Sequence, residues 1–298
     1  MMKRKKLWAL LLALAMVLSL AACGGSSDGG AKDTPPADTA APAETDTPAE
    51  GGDQQDAGSD LAYVQGKGTL VVGMTDFAPM DYRDADGNWI GFDADMATAF
   101  AESLGVKVEF QEITWDYKVM ELDAKSIDCV WNGMTLNDEV KAAMDTGKPY
   151  SLNAQVLVVP TDKAADYENL TSLEGLNVAV ESGSAGEDAA EALGASTTAV
   201  AKQADALMEV SAGTADAAVI DLLMAGAMIG EGTSYANLTH TVNLNAAQGL
   251  ESEEYGVGFR KGSDLVDAWN SFWTAAIADG SVLETGTTYG VQESLILD

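Results

Sequence analysis

From about Leu61 onward, short apolar runs alternate with amphipathic stretches, and this alternation most constrains the fold. Leu70-Val71-Val72-Gly73 reads as a buried strand. Asp84-Ala85-Asp86-Gly87-Asn88 reads as a turn, and Trp89 to Phe92 as the returning strand. Asp93 is placed to cap a helix running to Leu104 and stopped by Gly105. Val106, Val108 and Phe110 alternate as a half-buried strand. A helix follows Trp115, then a strand at Cys129 to Trp131, a short helix from Asn137 and a strand from Gln155 to Val159. The pattern continues with strands at Asn177–Val180, Ala217–Ile220 and Glu254–Phe259. Helices are expected at Gly186–Leu193, Ala204–Ser211, Leu222–Ile229 and Asp264–Asp279. Such β-α alternation predicts an α/β fold with mainly parallel sheets.

Composition narrows the chemistry. Lys and Arg number 16 against 47 Asp and Glu, a net charge of -31. No cationic surplus is left to neutralise phosphates, so nucleic acid is not an expected partner. One histidine, His240, cannot make a His-rich metal site or a paired-His acid/base site. A Ser-His-Asp triad could use only that residue, in a surface-like stretch. No Walker A loop occurs, and the Ser182-Gly183-Ser184-Ala185-Gly186 run breaks the GxSxG pattern. The Asp84 turn fits a polar hairpin better than a calcium loop, whose first ligand position would be Tyr82. No metal and no cofactor are expected.

The N-terminal region reads as a targeting segment. Lys3 to Lys6 are cationic, and Leu7 to Leu20 is an apolar run too short for a comfortable bilayer span. Leu20-Ala21-Ala22-Cys23-Gly24 resembles the lipobox of bacterial lipoproteins, which would make Cys23 the lipidated mature N-terminus after removal of residues 1–22. Residues 24–60 hold four of the seven prolines and almost no large apolar residue. They read, after Cys23, as a disordered linker with a reach of roughly 35 Å. Cys129, left without a partner, is expected to be a small buried apolar residue.

Across roughly residues 66–292 the ordered motifs resemble the polar amino acid-binding proteins of ABC importers, extracellular solute-binding proteins of family 3. Thr69 to Gly73 followed by Asp76-Phe77-Ala78-Pro79-Met80 is similar to the opening strand and loop of that family. Ile90-Gly91-Phe92-Asp93-Ala94-Asp95-Met96 resembles its GFDxDL segment, and Trp115-Asp116 its next ligand-facing turn. Ile127 to Thr135 resembles the strand ending in Gly-Met-Thr. Val178 to Ser184 resembles the second-lobe turn, Gly213 to Asp221 the G-x-x-D-A-x-x-x-D element, and Tyr255 to Gly262 the return strand.

The resemblance implies a two-lobe periplasmic-binding-protein fold with two hinge crossovers. Lobe 1 would span residues 61–156 and 253–298, and lobe 2 residues 157–252. The ligand, an amino acid, would sit between lobes that close on it. Asp221 would take the ligand ammonium, with the Gly133 carbonyl and the Thr135 hydroxyl completing its shell; an N-cap on the following helix is the other role open to Asp221. Gly183, Ser184 and Ala185 lie between a strand and a helix start, where backbone N–H groups suit a carboxylate, although Ser184 also fits a plain helix cap. Phe77 and Trp115 would wall the ligand side chain, or pack as core aromatics. Of Trp131 and Asn132, one should face the core and the other the cleft, with Trp131 favoured for the core or the cleft flank.

Two departures stand out. The family's carboxylate-clamping Arg is replaced by Val140, and Lys141 lies about 100° around the helix from it. Met80 replaces the second aromatic of the first loop, implying a softer wall. Without that Arg, either the Gly183–Ala185 turn carries the carboxylate with help from elsewhere, or the ligand is not an ordinary α-amino acid. The expected function is a monomeric lipoprotein, anchored outside the cell membrane, that delivers a polar amino acid or related small zwitterion to an ABC permease. It is not expected to be an enzyme. A sensor or co-receptor lipoprotein is the alternative reading, followed by a dehydratase-like enzyme on the same fold using a carboxylate such as Asp76 or Asp95.

Overall fold

The structure, a computed structural model, describes residues 58–247, 249 and 252–298. The signal segment, Cys23 and the expected linker through residue 57 lie outside the described residues. The last two residues assigned to the linker belong instead to the folded body. The Ser59 hydroxyl accepts the Ala62 N–H at 2.9 Å and caps helix α1 (Asp60–Lys67). Asp60 is buried against Arg260, whose Nε donates to it at 2.9 Å.

Along the first half run β1 (Thr69–Met74), the hairpin β2 (Tyr82–Arg83) and β3 (Trp89–Ile90), α2 (Phe92–Ser103) and β4 (Lys107–Glu112). A 3-10 turn at Trp115–Tyr117 leads into α3 (Lys118–Asp123), followed by β5 (Cys129–Val130), α4 (Asp138–Ala143) and β6 (Asp145–Thr146). Next come β7 (Ser151–Asn153), β8 (Gln155–Pro160), β9 (Asn177–Glu181), α5 (Ala185–Ala192), β10 (Ser196–Val200) and α6 (Gln203–Ala212). The chain finishes with β11 (Ala217–Asp221), α7 (Leu222–Met228), β12 (Leu238–Asn243), α8 (Leu244–Ala247), β13 (Glu253–Tyr255), β14 (Gly258–Phe259), α9 (Leu265–Asp279) and α10 (Ser281–Tyr289).

Among the described residues these strands build two five-stranded sheets, ordered β4-β1-β5-β14-β6 and β10-β9-β11-β8-β12. The sheets are mainly parallel in strand direction, as expected, with one reversed strand in each. In the first, β1 pairs in parallel with β4 and β5, whereas β14 runs against β5 and β6. In the second, β9 pairs in parallel with β10 and β11, whereas β8 runs against β11 and β12. Four strands of each sheet therefore share one direction, and the fourth position in each order holds the reversed strand. The cause is the connectivity. β8 and β14 are the strands that follow the two crossovers, β7 and β13, and those two pair antiparallel with each other between the lobes. The expected single strand at Glu254–Phe259 is accordingly split into crossover β13 and sheet strand β14. β8 starts at Gln155, so the second sheet begins two residues before the expected lobe boundary.

The core of the first lobe is aromatic. Trp269 and Trp273, one turn apart on α9, stack with centroids 5.1 Å apart, and Trp131 meets Trp269 edge-on at 5.8 Å. The second lobe packs aliphatic residues of β8, β9 and β11, among them Leu157, Val178 and Val219, against Ala189 and Ala190 of α5. Cys129 is fully buried and free. His240 is exposed on β12 beside Val158.

Two local expectations are corrected. Gly91, not Asp93, is the N-cap of α2: its φ of 128° lies where glycine is favoured, and an added Cβ would overlap the Met80 carbonyl. The Asp93 carboxylate points inward, accepting the Gly133 N–H and the Tyr150 hydroxyl, each at 2.7 Å. Met80 is wholly buried in the core and does not line the cleft, because its carbonyl anchors the start of α2 through the Asp93 N–H at 2.9 Å.

Candidate functional site

The parallel registers bring the carboxyl ends of four strands to one place. In the first lobe, Val72 pairs with Cys129 and Gly73 with Val130, so Thr75 and Asn132 emerge side by side beyond their strands. The Asn132 amide oxygen accepts the Thr75 N–H at 3.0 Å and its hydroxyl at 2.9 Å, and Asn132 Nδ2 donates to Asp81 at 2.8 Å. In the second lobe, Val178 pairs with Ala217 and Ala179 with Ala218. Continuing that register sets Glu181 level with Ile220, one residue short of Asp221. Open α/β sheets bind ligands beyond such carboxyl ends.

Between the two sets of strand ends lies a cavity of about 160 Å³. All eight side chains or turns singled out from the sequence line it: Phe77, Trp115, Gly133, Thr135, Gly183, Ser184, Ala185 and Asp221. Trp131 faces the core and Asn132 the cavity, as the strand alternation requires. Thr75, Asp116, Lys118, Asn137, Glu139, Glu181, Asp188 and Gln203 line it as well. Sequence patterns gave most of these no signal, because a polar residue just past a strand or at a helix start looks like any solvated loop residue. Asp76 and Asp95 do not line the cavity, and Asp95 accepts the Tyr289 hydroxyl at 2.7 Å.

Asp221 stands at the N-cap position of α7, yet its side chain makes no capping bond. Its Oδ1 accepts from Gln155 Nε2 at 3.0 Å, from the Tyr255 hydroxyl at 2.7 Å and from Asn153 Nδ2. Its Oδ2 accepts from Gln203 Nε2. Gln155 is its antiparallel cross-strand partner, and Asn153 and Tyr255 come from the two crossovers. Burial pushes this carboxyl above its ordinary value, while the four donors favour the charged form and fix its orientation. Glu253 of β13 joins the same cluster, accepting from Gln155 Nε2 at 2.9 Å and from the Thr135 hydroxyl at 3.2 Å. Burial and the charge of Asp221 raise its carboxyl to about 7.

Gly133 has φ 55°, and an added Cβ would strike the Phe77 ring and come within 3.1 Å of Tyr255. Only glycine lets these two rings, edge-on at 6.4 Å, close over the strand end. Burial raises the supporting Asp93 carboxyl to about 7, against the opposing hydrogen bonds from Tyr150 and Gly133.

The second-lobe turn is less open than the sequence implied. Ser184 is the N-cap of α5, its hydroxyl accepting the Glu187 N–H at 3.1 Å. The Glu187 carboxylate reaches back to accept the Gly183 N–H at 2.7 Å, so a side chain of the protein already fills part of the anion seat. The Ala185 N–H, at the first helical position, has no acceptor within the helix.

Val140 does face the cavity, and Lys141 is exposed outside it. Among the described residues the one cation lining the cavity is Lys118 of α3. Its Nζ donates to the Gly183 carbonyl at 3.0 Å and to the Trp115 carbonyl at 3.4 Å, and lies 5.0 Å from the centroid of the Trp115 ring. Burial lowers its pKa, and the surrounding carboxylates, Glu139 and Asp116 foremost, oppose that shift. The lobes also meet through the Lys202–Glu112 ion pair and through Asn137 Nδ2, which donates to Asp188 at 3.4 Å.

The two-lobe frame, the cleft at the strand ends and the order of the motifs agree with the match of residues 70–292 to the bacterial extracellular solute-binding proteins, family 3. The chain belongs to this family. Arginine-binding extracellular protein ArtP of Bacillus subtilis is 29% identical over 212 residues, covering 69% of this chain and 79% of ArtP. A mutant of ArgBP from T. maritima superposes with a TM-score of 0.70 at 29% identity, covering 78% of this chain and 99% of that one. Cyclohexadienyl dehydratase of Pseudomonas aeruginosa is 28% identical over 137 residues, covering 45% of this chain and 51% of the enzyme. Among the described residues of this member of the family, no helix is long and apolar enough to cross a membrane.

Proposed function

We propose that the chain is the substrate-binding component of an amino acid ABC importer, held at the outer face of the cell membrane by lipid on Cys23. One observation carries the reading. A single cavity between two lobes places a carboxylate oriented by four donors, Asp221, in company with one lysine, Lys118. A zwitterion needs that combination: an anion for its ammonium and a donor for its carboxylate. Asp221 takes the ammonium, with the Gly133 carbonyl and the Thr135 hydroxyl beside it. Lys118, with a third N–H to give, stands in for the Arg absent at Val140, helped by the Ala185 N–H. Phe77 and Trp115 flank the ligand side chain. The permease recognises the closed pair of lobes.

The relatives' names support an amino acid as cargo and a binding role over an enzymatic one. Calorimetry of the full chain against the common amino acids and cystine tests this. At least one should bind saturably and be recovered chemically unchanged. A ligand at 100 times its Kd should also add about 2.7 kcal/mol of stability. Failure of every amino acid to bind would overturn the reading, and turnover of the bound ligand would replace it with the enzymatic one. For the anchor, Cys23→Ser should release the protein from the membrane fraction; full retention with no lipid on the N-terminal peptide would contradict it.

A further inference from the structure

Of the described charged side chains in the cavity that a zwitterion leaves over, Glu181 is the buried one. Glu181 ends β9, is only 3% exposed, and lines the cavity. Its Oε1 has no hydrogen-bond partner. The groups facing it are Asp221 on the neighbouring strand, Lys118 across the cleft, and the polar side chains of Gln203 and Thr75. Lys118 acts on it only through its charge, because its Nζ bonds to the Gly183 and Trp115 carbonyls. Nearer α4 and α5 the lining adds Asp116, Glu139 and Asp188, so five carboxylates face one lysine. A buried carboxylate with an unpaired oxygen is costly unless a cation arrives to pair with it.

We infer that Glu181 takes a cationic group on the ligand's side chain, so that the ligand is a basic amino acid with a second positive charge. This rests on the amino acid reading above and names the member of that class. The ammonium at Asp221 and the carboxylate at Lys118 leave the side-chain cation for Glu181. Each charged group of such a ligand then meets an opposite charge, whereas a neutral amino acid would leave the buried Glu181 carboxylate without a partner. Burial, reinforced by the charge of Asp221 and opposed by Lys118, raises the Glu181 carboxyl to about 8. At pH 7 the empty site therefore keeps a proton on Glu181, and an arriving cation displaces it to solvent.

The test is calorimetry of the full chain with L-lysine, L-ornithine and L-arginine, each set against a neutral near-isostere, L-norleucine or L-citrulline. Wild type should bind the cationic ligand at least tenfold more tightly than its neutral counterpart. E181Q, nearly isosteric, should shrink that ratio below threefold. Thermal melting without ligand checks that E181Q folds. Titrations of wild type at pH 7 in buffers of different ionisation enthalpy should reveal net proton release on binding the cationic ligand, a readout that needs no variant. Equal affinity for the neutral isosteres, a preference that survives E181Q, or no proton release would overturn the assignment. If only neutral amino acids bind, the amino acid reading stands and the role of Glu181 alone falls. If neither set binds, the role of Glu181 falls, and binding or failure of the other common amino acids and cystine decides the amino acid reading.

Discussion

Lys118 Nζ, from the first lobe, donates to the carbonyl of Gly183, in the second, at 3.0 Å. The same residue is the cation of the cavity among the described residues, so in the proposed binding mode ligand and lobe contact share one side chain. Lys118→Met keeps much of the apolar stem but removes both interactions. Affinity for the bound amino acid should fall at least tenfold, about 1.4 kcal/mol, with ligand-free stability little changed. Adding Val140→Arg to that variant should recover part of the loss, because position 140 faces the same cavity. Calorimetry on the single and double variants decides. Affinity within threefold of wild type for Lys118→Met would remove it from the site.

Gly183 has φ 71°, and an added Cβ would sit 2.8 Å from the Asp116 carboxylate and 2.9 Å from its Cα. A β-branched side chain there opposes the turn and wedges the lobes apart. Gly183→Val should weaken binding at least tenfold and leave the separate lobes folded. Small-angle scattering with saturating ligand should find the variant more open than wild type. Closure indistinguishable from wild type would contradict the account.

Acid should stabilise the ligand-free chain. Asp93, Glu181 and Glu253 carry carboxyls raised by burial to about 7, 8 and 7. In the unfolded chain such groups titrate near 4. Between about pH 4.5 and 8 the folded state thus holds more protons than the unfolded one, and stability falls as pH rises. The net charge of -31 adds self-repulsion in the same direction. Burial also works to raise the Asp60 carboxyl, but the hydrogen bonds from Arg260 and Ser263 and the charges of Arg260 and Lys125 outweigh it. Its lowered pKa acts below about pH 4, outside this window. The Tm without ligand should be higher at pH 5.5 than at pH 8, and a Tm that rises across this range would contradict the assignment.

The parts of this molecule that the sequence made legible are those where one residue pattern has one structural meaning. The apolar runs at Leu70, Asn177 and Ala217 became the inner strands β1, β9 and β11, because a strand covered on both faces has no polar side to show. The edge strands β10 and β12, Ser-Thr-Thr-Ala-Val and Leu-Thr-His-Thr-Val-Asn, carry no such signature, since one face of each is solvated. α10 is illegible for a related reason: Gly286 and three threonines mask its helical period. In the cavity, the motif positions converge as expected, but Lys118, Glu181 and Gln203 acquire meaning only when two lobes and two registers bring them together. Asp93 misled because an acidic residue near a helix start is usually a cap, and here the backbone of Gly91 does that work while Asp93 supports Gly133 from beneath.

The central claim is that Asp221 is the ammonium partner of an amino acid. It is tested by calorimetry of Asp221→Ala and Asp221→Asn with the amino acid that wild type binds. Truncating one partner of a buried, hydrogen-bonded charge pair costs about 2–5 kcal/mol, so both variants should lose at least thirtyfold in affinity while melting as folded proteins. An affinity within threefold of wild type in either folded variant would contradict the account and leave Asp221 as the polar anchor of the Tyr255–Gln155–Gln203 cluster alone.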